Sequence, residues 1–233
     1  LKNSGSDGSI FKILKKYTKI EEMTFGITNF KAKNPLSKNA KGVKVNSKAS
    51  LKVDGKYIKS STDDVIFQTY GITGTAILNL SNSISLALKN KSKVSLDIDF
   101  YPEYKKDGLL MKLEEKSERF PQRSIEELLI GNLDKKLIID ILKRVKINPG
   151  QKNIKRKDLE KLAEILKNLS FDIIDINDKN NAQVTLGGVS CGEIDKKTMR
   201  SLKIKDCYFI GEVMDVAGDC GGYNIQWAFS SAK

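Results

Sequence analysis

Histidine is absent from all 233 residues of the chain. Its absence excludes an imidazole general base, Ser-His and Cys-His catalytic pairs, and His-ligated metal sites within this sequence. The three cysteines, Cys191, Cys207 and Cys220, cannot close a disulfide framework among themselves, and their spacing matches no CxxC zinc pair. We therefore expect no metal site here, and a reducing cytoplasmic setting.

Long apolar runs are missing as well. No uninterrupted apolar stretch approaches the roughly 18 to 20 residues that a membrane-spanning helix needs, so we expect no membrane span. The hydrophobic share of 39% is enough for one or two ordinary cores.

Lys plus Arg total 41 against 29 Asp plus Glu, which gives a formal charge of +12. Residues 1–60 carry a net +10, whereas residues 181–233 carry none.

The basic first part of the chain has two interpretations. Clustered lysines attract phosphate, and Phe25, Phe30, Tyr57 and Tyr70 could stack on bases, which together would describe a nucleic-acid surface. However, acidic residues are interleaved with the lysines, and no RNP, KH or helix-turn-helix signature is present. The sequence therefore favours a solvated surface over nucleic-acid binding.

Hydrophobic periodicity predicts an α+β chain. Helical spacing predicts helices over 9–19, 75–88, 124–130, 134–145, 155–169 and from about 223. Period-two patterns predict a hairpin turning at Asp54-Gly55 and strands near 65–67, 94–100, 171–176, 184–186 and 207–210.

The glycine-rich C-terminal segment is the candidate site. Its predicted strand over 207–210 stops at Gly211-Glu212, and Gly221-Gly222 precede a helix that begins at Tyr223-Asn224. An acid at a strand end can accept hydrogen bonds from sugar hydroxyls, and exposed helix N–H groups favour negative charge. The pattern suits a polyhydroxylated, electron-rich cofactor. The alternative is that the glycines only form a tight loop before a helix.

Several blocks of this sequence occur together in a known family. They are Val184-Thr185-Leu186-Gly187-Gly188-Val189, residues 208–216 (YFIGEVMDV) and residues 221–231 (GGYNIQWAFSS). In this order they closely resemble the C-terminal flavin-binding signature of the BaiN-like NAD(P)/FAD-dependent oxidoreductases, the aminoacetone-oxidase-like flavoproteins. Upstream, Ser4-Gly5-Ser6-Asp7-Gly8 resembles the family's second glycine-rich block, and Gly71-Ile72-Thr73-Gly74 its Gly-Ile-Ser-Gly loop.

The resemblance implies a partial, split FAD-binding domain with an inserted β-rich domain and a small helical subdomain. On this basis 1–20 and 181–233 belong to the FAD domain, 21–117 to a β-rich domain with one helix, and 118–180 to the helical subdomain. Glu212 would bond the ribityl hydroxyls, and the N–H groups of Tyr223 and Asn224 would face the flavin's pyrimidine edge. The remaining cofactor-binding positions would be Gly187, Gly188, Gly211, Gly221 and Gly222.

The same resemblance implies a hydride transfer through FAD, with NAD(P)H or an organic donor as reductant. The family's opening Gly-x-Gly-x-x-Gly element is absent here, so we expect a fragment that does not hold FAD tightly and is inactive without a missing N-terminal segment. The family often has His or Asp at the position of Thr69 and Pro at that of Thr75, which leaves proton transfer at that loop open. The substrate is likewise open, and the catalytic acid could be Tyr, Lys, Asp, Glu, Cys or water.

Other features of the segment have structural interpretations. Cys191 and Cys220 are better interpreted as buried or incidental cysteines than as redox-active thiols, and Trp227 as a core residue. Asp215 is expected to pair with the 217–220 loop or to cap a turn, with a ligand contact as the alternative. The competing function is a basic, non-catalytic module that binds nucleic acid or a partner protein.

Overall fold

The computed structural model describes residues 5–233, which form two compact units. Unit 1 contains residues up to 29 together with 78–92 and 176–233, and unit 2 contains 30–77 and 93–175. The predicted α+β class is confirmed. None of the helices within residues 5–233 is long and apolar enough to cross a bilayer.

Unit 2 is built around a closed six-stranded barrel with the strand order β2-β5-β4-β3-β6-β7. The pairs β2–β5, β5–β4, β4–β3, β3–β6 and β6–β7 are all antiparallel. The barrel strands are β2 (Phe30–Ala32), β3 (Lys44–Val53), β4 (Lys56–Gln68), β5 (Gly71–Thr73), β6 (Val94–Asp99) and β7 (Leu169–Ile176).

The β3–β4 hairpin turns where the sequence predicts it. Asp54 and Gly55 both have positive φ, of 50° and 79°, as a two-residue turn matched to the twist of the strands requires. Val53 pairs with Lys56 across the turn. The strand predicted at 65–67 is the end of β4, which runs without interruption from Lys56 to Gln68.

Aromatic side chains fill the interior of unit 2. The ring centroid of Phe67 lies 5.9 Å from that of Phe171 and 6.2 Å from that of Phe100, both in tilted geometry. Phe67 and Phe171 are fully buried. Rings at such separations stabilise a core beyond the area they bury, by about 1 kcal/mol a pair.

Unit 2 also contains the helices α4 (Lys106–Arg119), α5 (Ile125–Leu129), α6 (Lys135–Arg144) and α7 (Arg156–Lys167). Helix α4 was not predicted, because charged residues surround its buried Leu109, Leu110 and Leu113. Helix α5 begins with a capping box, in which Glu127 accepts a hydrogen bond from the Ser124 backbone N–H at 2.7 Å.

Unit 1 contains a two-stranded sheet of β1 (Ile20–Gly26) and β8 (Val184–Val189), with helices α1 (Ser9–Leu14), α3 (Ser81–Lys89) and α8 (Tyr223–Ser231). The predicted helix over 75–88 is two helices, α2 (Thr75–Leu78) and α3. Residues 21–29 and 78–92 belong to unit 1 by their contacts, whereas the sequence grouped them with the β-rich insertion. The assignment of a FAD domain and insertions stays a prediction.

Candidate functional site

Strand β8 carries the first pair of predicted site glycines, and both are required for close backbone approach. A Cβ on Gly187 (φ 88°) would lie 2.6 Å from the carbonyl oxygen of Glu22 on β1. A Cβ on Gly188 (φ 124°) would lie 2.5 Å from the carbonyl oxygen of Val213. Separations below 3.0 Å are not tolerated by real side chains, so these glycines allow β8 to lie between β1 and residues 213–214.

Two acidic residues join β8 to the segment that follows Gly211. The Thr185 backbone N–H donates to Glu212 Oε1 at 2.5 Å, and the Gly187 N–H donates to Asp215 Oδ1 at 3.0 Å. The Asp215 N–H in turn donates to the carbonyl oxygen of Val189. The interpretation of Asp215 as a structural residue therefore has a specific basis, although its partner is β8 and not the 217–220 loop.

The predicted strand over 207–210 is wrong. Only Tyr208 makes an isolated bridge, to Arg200, and residues 211–213 form a short 3-10 turn. Asp206, just before this segment, has a left-handed backbone with a φ of 54°. The Phe209 backbone N–H donates a hydrogen bond to the carbonyl oxygen of Met199. The segment therefore pairs with an irregular loop, which cannot support a continuous ladder.

The paired glycines before helix α8 do form a helix start. Gly222 is the N-cap in the left-handed region (φ 88°), and no side chain caps the helix. A Cβ on Gly222 would meet nothing within 4 Å. The N-terminal N–H groups of α8 therefore have no side-chain acceptor at the cap, as the cofactor interpretation of Tyr223 and Asn224 requires.

Polar contacts fix both ends of α8. At its start, Asn224 Oδ1 accepts from the Gly218 N–H at 2.8 Å and Asn224 Nδ2 donates to the Gly218 carbonyl at 3.1 Å. At its end, Ser231 Oγ accepts from the buried Gly211 N–H at 2.9 Å. A Cβ on Gly211 would lie 3.3 Å from Ala228 Cβ, so this glycine allows the 211–213 turn to pack on the helix. The side chain of Asn224 is thus engaged locally, and its backbone N–H is the group left for a ligand.

The site thus connects the predicted blocks within unit 1. The 184–189 and 211–215 blocks are joined by Glu212 and Asp215, and Gly211 joins the latter block to α8. Sequence reasoning missed Asn82 on α3, whose amide nitrogen donates to the Gly218 carbonyl at 3.3 Å. Nothing in the sequence links position 82 to position 218, because the contact is made only by the fold.

A cavity of about 230 Å³ adjoins Thr185, the partner of Glu212. Residues 6–8 of the upstream glycine-rich block line it together with Phe11 and side chains of β1. The Ser9 N–H donates to Asp7 Oδ1 at 2.9 Å, and this bond holds the pKa of Asp7 below 3.8. Ser4 of the same block lies outside the described residues.

The remaining candidates of the segment have ordinary surroundings. Cys191, Cys207 and Cys220 are free thiols, and Cys191 Sγ lies 3.4 Å from the Asp215 carbonyl oxygen. Trp227 packs against the core cluster of Leu14, Val189, Ile194, Phe209 and Met214, as predicted. Its buried Nε1 has no hydrogen-bond partner among the described residues.

The Gly71–Gly74 loop lies in unit 2, where its glycines have a packing role. A Cβ on Gly71 would lie 2.4 Å from the Phe30 carbonyl oxygen, and one on Gly74 would lie 2.3 Å from that of Asp64. The loop is therefore a tightly packed bend of the barrel. A catalytic role of Thr69 or Thr75 gains no support from these contacts.

Comparison with known proteins gives one family match. The family described as "HI0933-like protein barrel and H2TH domain" matches residues 26–184. This range contains the whole six-stranded barrel and helices α4 to α7.

Similarity to individual proteins extends beyond the residues that the family matches. The chain is 28% identical to the 3-dehydro-bile acid delta(4,6)-reductase of Clostridium scindens over 233 residues, which cover 99% of this chain and 57% of the relative. It is 32% identical to the ribosomal RNA dihydrouridine synthase of Haemophilus influenzae over 175 residues, 75% of this chain and 41% of the relative. The Escherichia coli protein of the same name is 31% identical over 171 residues, 73% of this chain and 40% of the relative. The chain thus spans about half the length of these curated relatives.

Proposed function

Because the chain belongs to the HI0933-like family, whose barrel and H2TH domain it carries over residues 26–184, we propose that it is part of a flavin-dependent oxidoreductase. The observation that carries this proposal is the 28% identity over 99% of the chain to a protein named as a reductase, which includes the flavin-like C-terminal blocks. The proposed cofactor is FAD and the proposed reductant is NAD(P)H, in a cytoplasmic enzyme.

The names of the relatives suggest a shared reaction class. A delta(4,6)-reductase acting on a 3-dehydro steroid and a synthase of dihydrouridine both add two hydrogens to a carbon–carbon double bond in conjugation with a carbonyl. We infer the same class here: a hydride is added to the carbon remote from the carbonyl and a proton to the carbon next to it. Reduced flavin supplies the hydride when bound.

The residues of unit 1 fit a flavin in two respects. The cap of α8 is a left-handed glycine, so the N–H groups of Tyr223 and Asn224 can face the electron-rich edge of the ring. Glu212 is exposed and bonds Thr185 through one oxygen, which leaves acceptor capacity for ribityl hydroxyls. Gly221 and Gly222 would let the cofactor approach the backbone. Gly187, Gly188 and Gly211 would act indirectly, by holding Glu212 in place.

Exposed apolar side chains of unit 1 support a further segment of the same protein as its partner. On α8, Tyr223, Ile225 and Phe229 are 63%, 68% and 74% exposed, and on α1 Ile13 is 56% exposed. Large apolar side chains grouped on two helices are typical of surfaces that another element covers. The relative aligned over nearly the whole chain is longer, since the match covers 57% of it. We propose that this additional portion covers these helices and completes the FAD site.

The full-length protein provides the test. We expect it to purify yellow and to release FAD on denaturation, and the bound flavin should be bleached by NADH or NADPH under anaerobic conditions. A colourless full-length protein that cannot be reconstituted with FAD would overturn the proposal and favour the non-catalytic module.

For the reaction class, the flavin-loaded protein should reduce a 3-keto-4-ene steroid or a uridine-containing ribosomal RNA fragment. Reduction of neither, with flavin bound, would contradict the conjugated double bond as substrate class.

A further inference from the structure

Asn82 joins two segments of unit 1 that are far apart in the chain. It lies in the first turn of α3 and is half-buried. Its Oδ1 accepts a hydrogen bond from the Ile27 backbone N–H at 3.3 Å, and its Nδ2 donates to the Gly218 carbonyl oxygen at 3.3 Å. Among short side chains only an amide can accept and donate in this way through two separate atoms. Both partners together therefore specify asparagine at this position.

The position of Asn82 is fixed by its surroundings. A Cβ on Gly26 would lie 2.5 Å from Asn82 Oδ1, so this glycine lets the side chain approach the end of β1. Ile27 is a buried β-branched residue with a φ of 44°, a conformation that such residues rarely adopt unless their contacts hold it. At the other end of α3, Lys89 Nζ donates to the carbonyl oxygen of Glu22 on β1 at 2.6 Å. Helix α3 is therefore attached at both ends to the segment that contains β1.

The second partner of Asn82, Gly218, lies in the loop that leads into α8. Its carbonyl oxygen also accepts from Asn224 Nδ2 at 3.1 Å, and its N–H donates to Asn224 Oδ1 at 2.8 Å. A Cβ on Gly218 would lie 2.8 Å from Tyr223 Cβ, so the loop packs directly on the first residue of the helix. A shift of Gly218 would therefore move the start of α8, where the N–H groups of Tyr223 and Asn224 lie.

Apolar contacts hold the same loop from another side. Ala217 and Cys220 pack against the buried cluster of Ile27, Val184 and Leu186. Such contacts keep the loop close to the cluster, but they are not directional. A hydrogen bond is directional, so the amide at position 82 sets where the carbonyl at position 218 lies within that packing.

We propose that Asn82 is a positioning residue for the flavin, which acts through Gly218 to fix the start of α8 at the pyrimidine edge of the ring. This role rests on the proposed flavin-dependent function. Hydrogen-bond donors that are in place before charge develops stabilise that charge more than donors that must reorganise. Since this edge is negatively charged in a reduced flavin, fixed N–H groups of Tyr223 and Asn224 favour the reduced over the oxidised cofactor. Asn82 therefore raises the midpoint potential of the flavin, although its own side chain is engaged by Ile27 and Gly218.

The test is the midpoint potential of FAD bound to the full-length protein, measured anaerobically by equilibration with reference dyes. Asn82→Ala should bind reduced FAD about tenfold less tightly relative to oxidised FAD, which lowers the potential of a two-electron couple by about 30 mV. Asn90→Ala makes the same change at an exposed residue at the end of α3 and should keep the wild-type potential. An Asn82→Ala potential equal to that of Asn90→Ala would overturn the role.

Hydrogen–deuterium exchange of the same full-length preparations checks the route of the effect. Asn82→Ala should speed exchange in peptides that cover residues 217–226, while peptides of the β3–β4 hairpin keep the wild-type rate. Unchanged exchange at 217–226 would overturn a role through Gly218. Equally faster exchange in the hairpin would also overturn it, because that result reports a general loss of stability.

A second variant covers the case in which circular dichroism shows that Asn82→Ala is unfolded. Asn82→Asp still accepts from the Ile27 N–H but cannot donate to Gly218. Ser83→Asp adds the same charge to the next residue of α3 and is its control. The potential of Asn82→Asp must lie below that of Ser83→Asp, and equal potentials would overturn the role.

The colour of the wild type separates this inference from the function on which it rests. A colourless full-length protein that cannot be reconstituted with FAD overturns the flavoprotein proposal and the role of Asn82 with it. A yellow protein whose Asn82 variants keep the potentials of their controls overturns the positioning role alone.

Discussion

Glu212 Oε1 accepts a hydrogen bond of 2.5 Å from the backbone N–H of Thr185, 27 residues earlier in the chain. This bond joins the turn at 211–213 to strand β8 and fixes the position of an exposed carboxylate. The carboxylate can accept further hydrogen bonds, because each of its oxygens has two lone pairs. We propose that this remaining capacity serves the ribityl hydroxyls of a flavin; the contact that positions Glu212 was not evident from the sequence.

The first prediction concerns flavin retention by Glu212 variants of the full-length protein. Glu212→Ala should weaken FAD binding by about 1 to 3 kcal/mol, since one or two hydrogen bonds to a charged group are lost. Glu212→Gln should fall between this variant and the wild type, because its amide oxygen can still accept from Thr185. The dissociation constants are measured by titrating the apoprotein with FAD and recording the change in flavin fluorescence.

A matched control for this series is Glu118→Ala, which removes an exposed acid of helix α4 in unit 2. Its FAD affinity should equal that of the wild type. Unchanged affinity in Glu212→Ala would show that Glu212 does not contact the cofactor.

The second prediction separates two glycines of the candidate site. Gly188→Ala should lower the free energy of unfolding by about 3 kcal/mol, because its Cβ would lie 2.5 Å from a backbone oxygen of Val213. Gly222→Ala should cost only about 1 kcal/mol, since its Cβ would meet nothing within 4 Å and only the left-handed backbone opposes it. Urea denaturation measures both values, and equal losses would refute the proposed crowding at Gly188.

The third prediction concerns Asp140 on α6, which is only 4% exposed. Its carboxylate accepts from the Ser37 N–H at 2.8 Å and from Ser37 Oγ at 2.7 Å. Asp140→Ala should therefore destabilise the protein by about 2 to 4 kcal/mol, and Ser37→Ala, which loses one of the two bonds, by about 1.5 kcal/mol. The double variant should lose less than the sum, and strict additivity in urea denaturation would contradict a direct coupling.

The sequence predicted elements with strong local signals. The Asp54-Gly55 turn, the strand that begins at Val184 and the helix that begins at Tyr223 all follow from turn chemistry, alternation or a glycine cap. The prediction of a strand over 207–210 was wrong, because a short apolar run has no periodicity that distinguishes a strand from a buried loop. Helix α4 was missed because its apolar positions are few among its charges.

The connections within the candidate site could not be predicted in the same way. The bonds of Thr185 to Glu212 and of Asn82 to Gly218 link positions that are far apart in the chain. Such pairs depend on where each segment lies after folding, and a single sequence does not contain that information. Gly187 and Gly188 were identified by resemblance, whereas Gly211, Gly221 and Gly222 also followed from the strand-end and helix-start pattern. Only the surroundings distinguish Gly188, whose Cβ would be crowded, from Gly222, whose Cβ would meet nothing within 4 Å.

The last prediction concerns the acid stability of unit 2. Glu127 accepts from the Ser124 backbone N–H at 2.7 Å, and this bond, with the Ser124 side chain, holds the pKa of Glu127 below 4.5. Because the folded-state pKa is depressed, its contribution to stability is complete above the unfolded value and is lost as the pH falls through the folded value. The wild type should therefore be more stable than Glu127→Gln at pH 7, and the difference should shrink steadily below about pH 4.5.

Urea denaturation between pH 7 and pH 3 measures this difference in unfolding free energy. Glu118→Gln is the matched control, since it neutralises an exposed acid within α4 and not at a helix start. Its difference from the wild type should vary little over the same pH range. A Glu127→Gln difference that stays constant down to pH 3 would mean that the capping box contributes through its geometry alone, and not through the charge that favours a helix N-terminus.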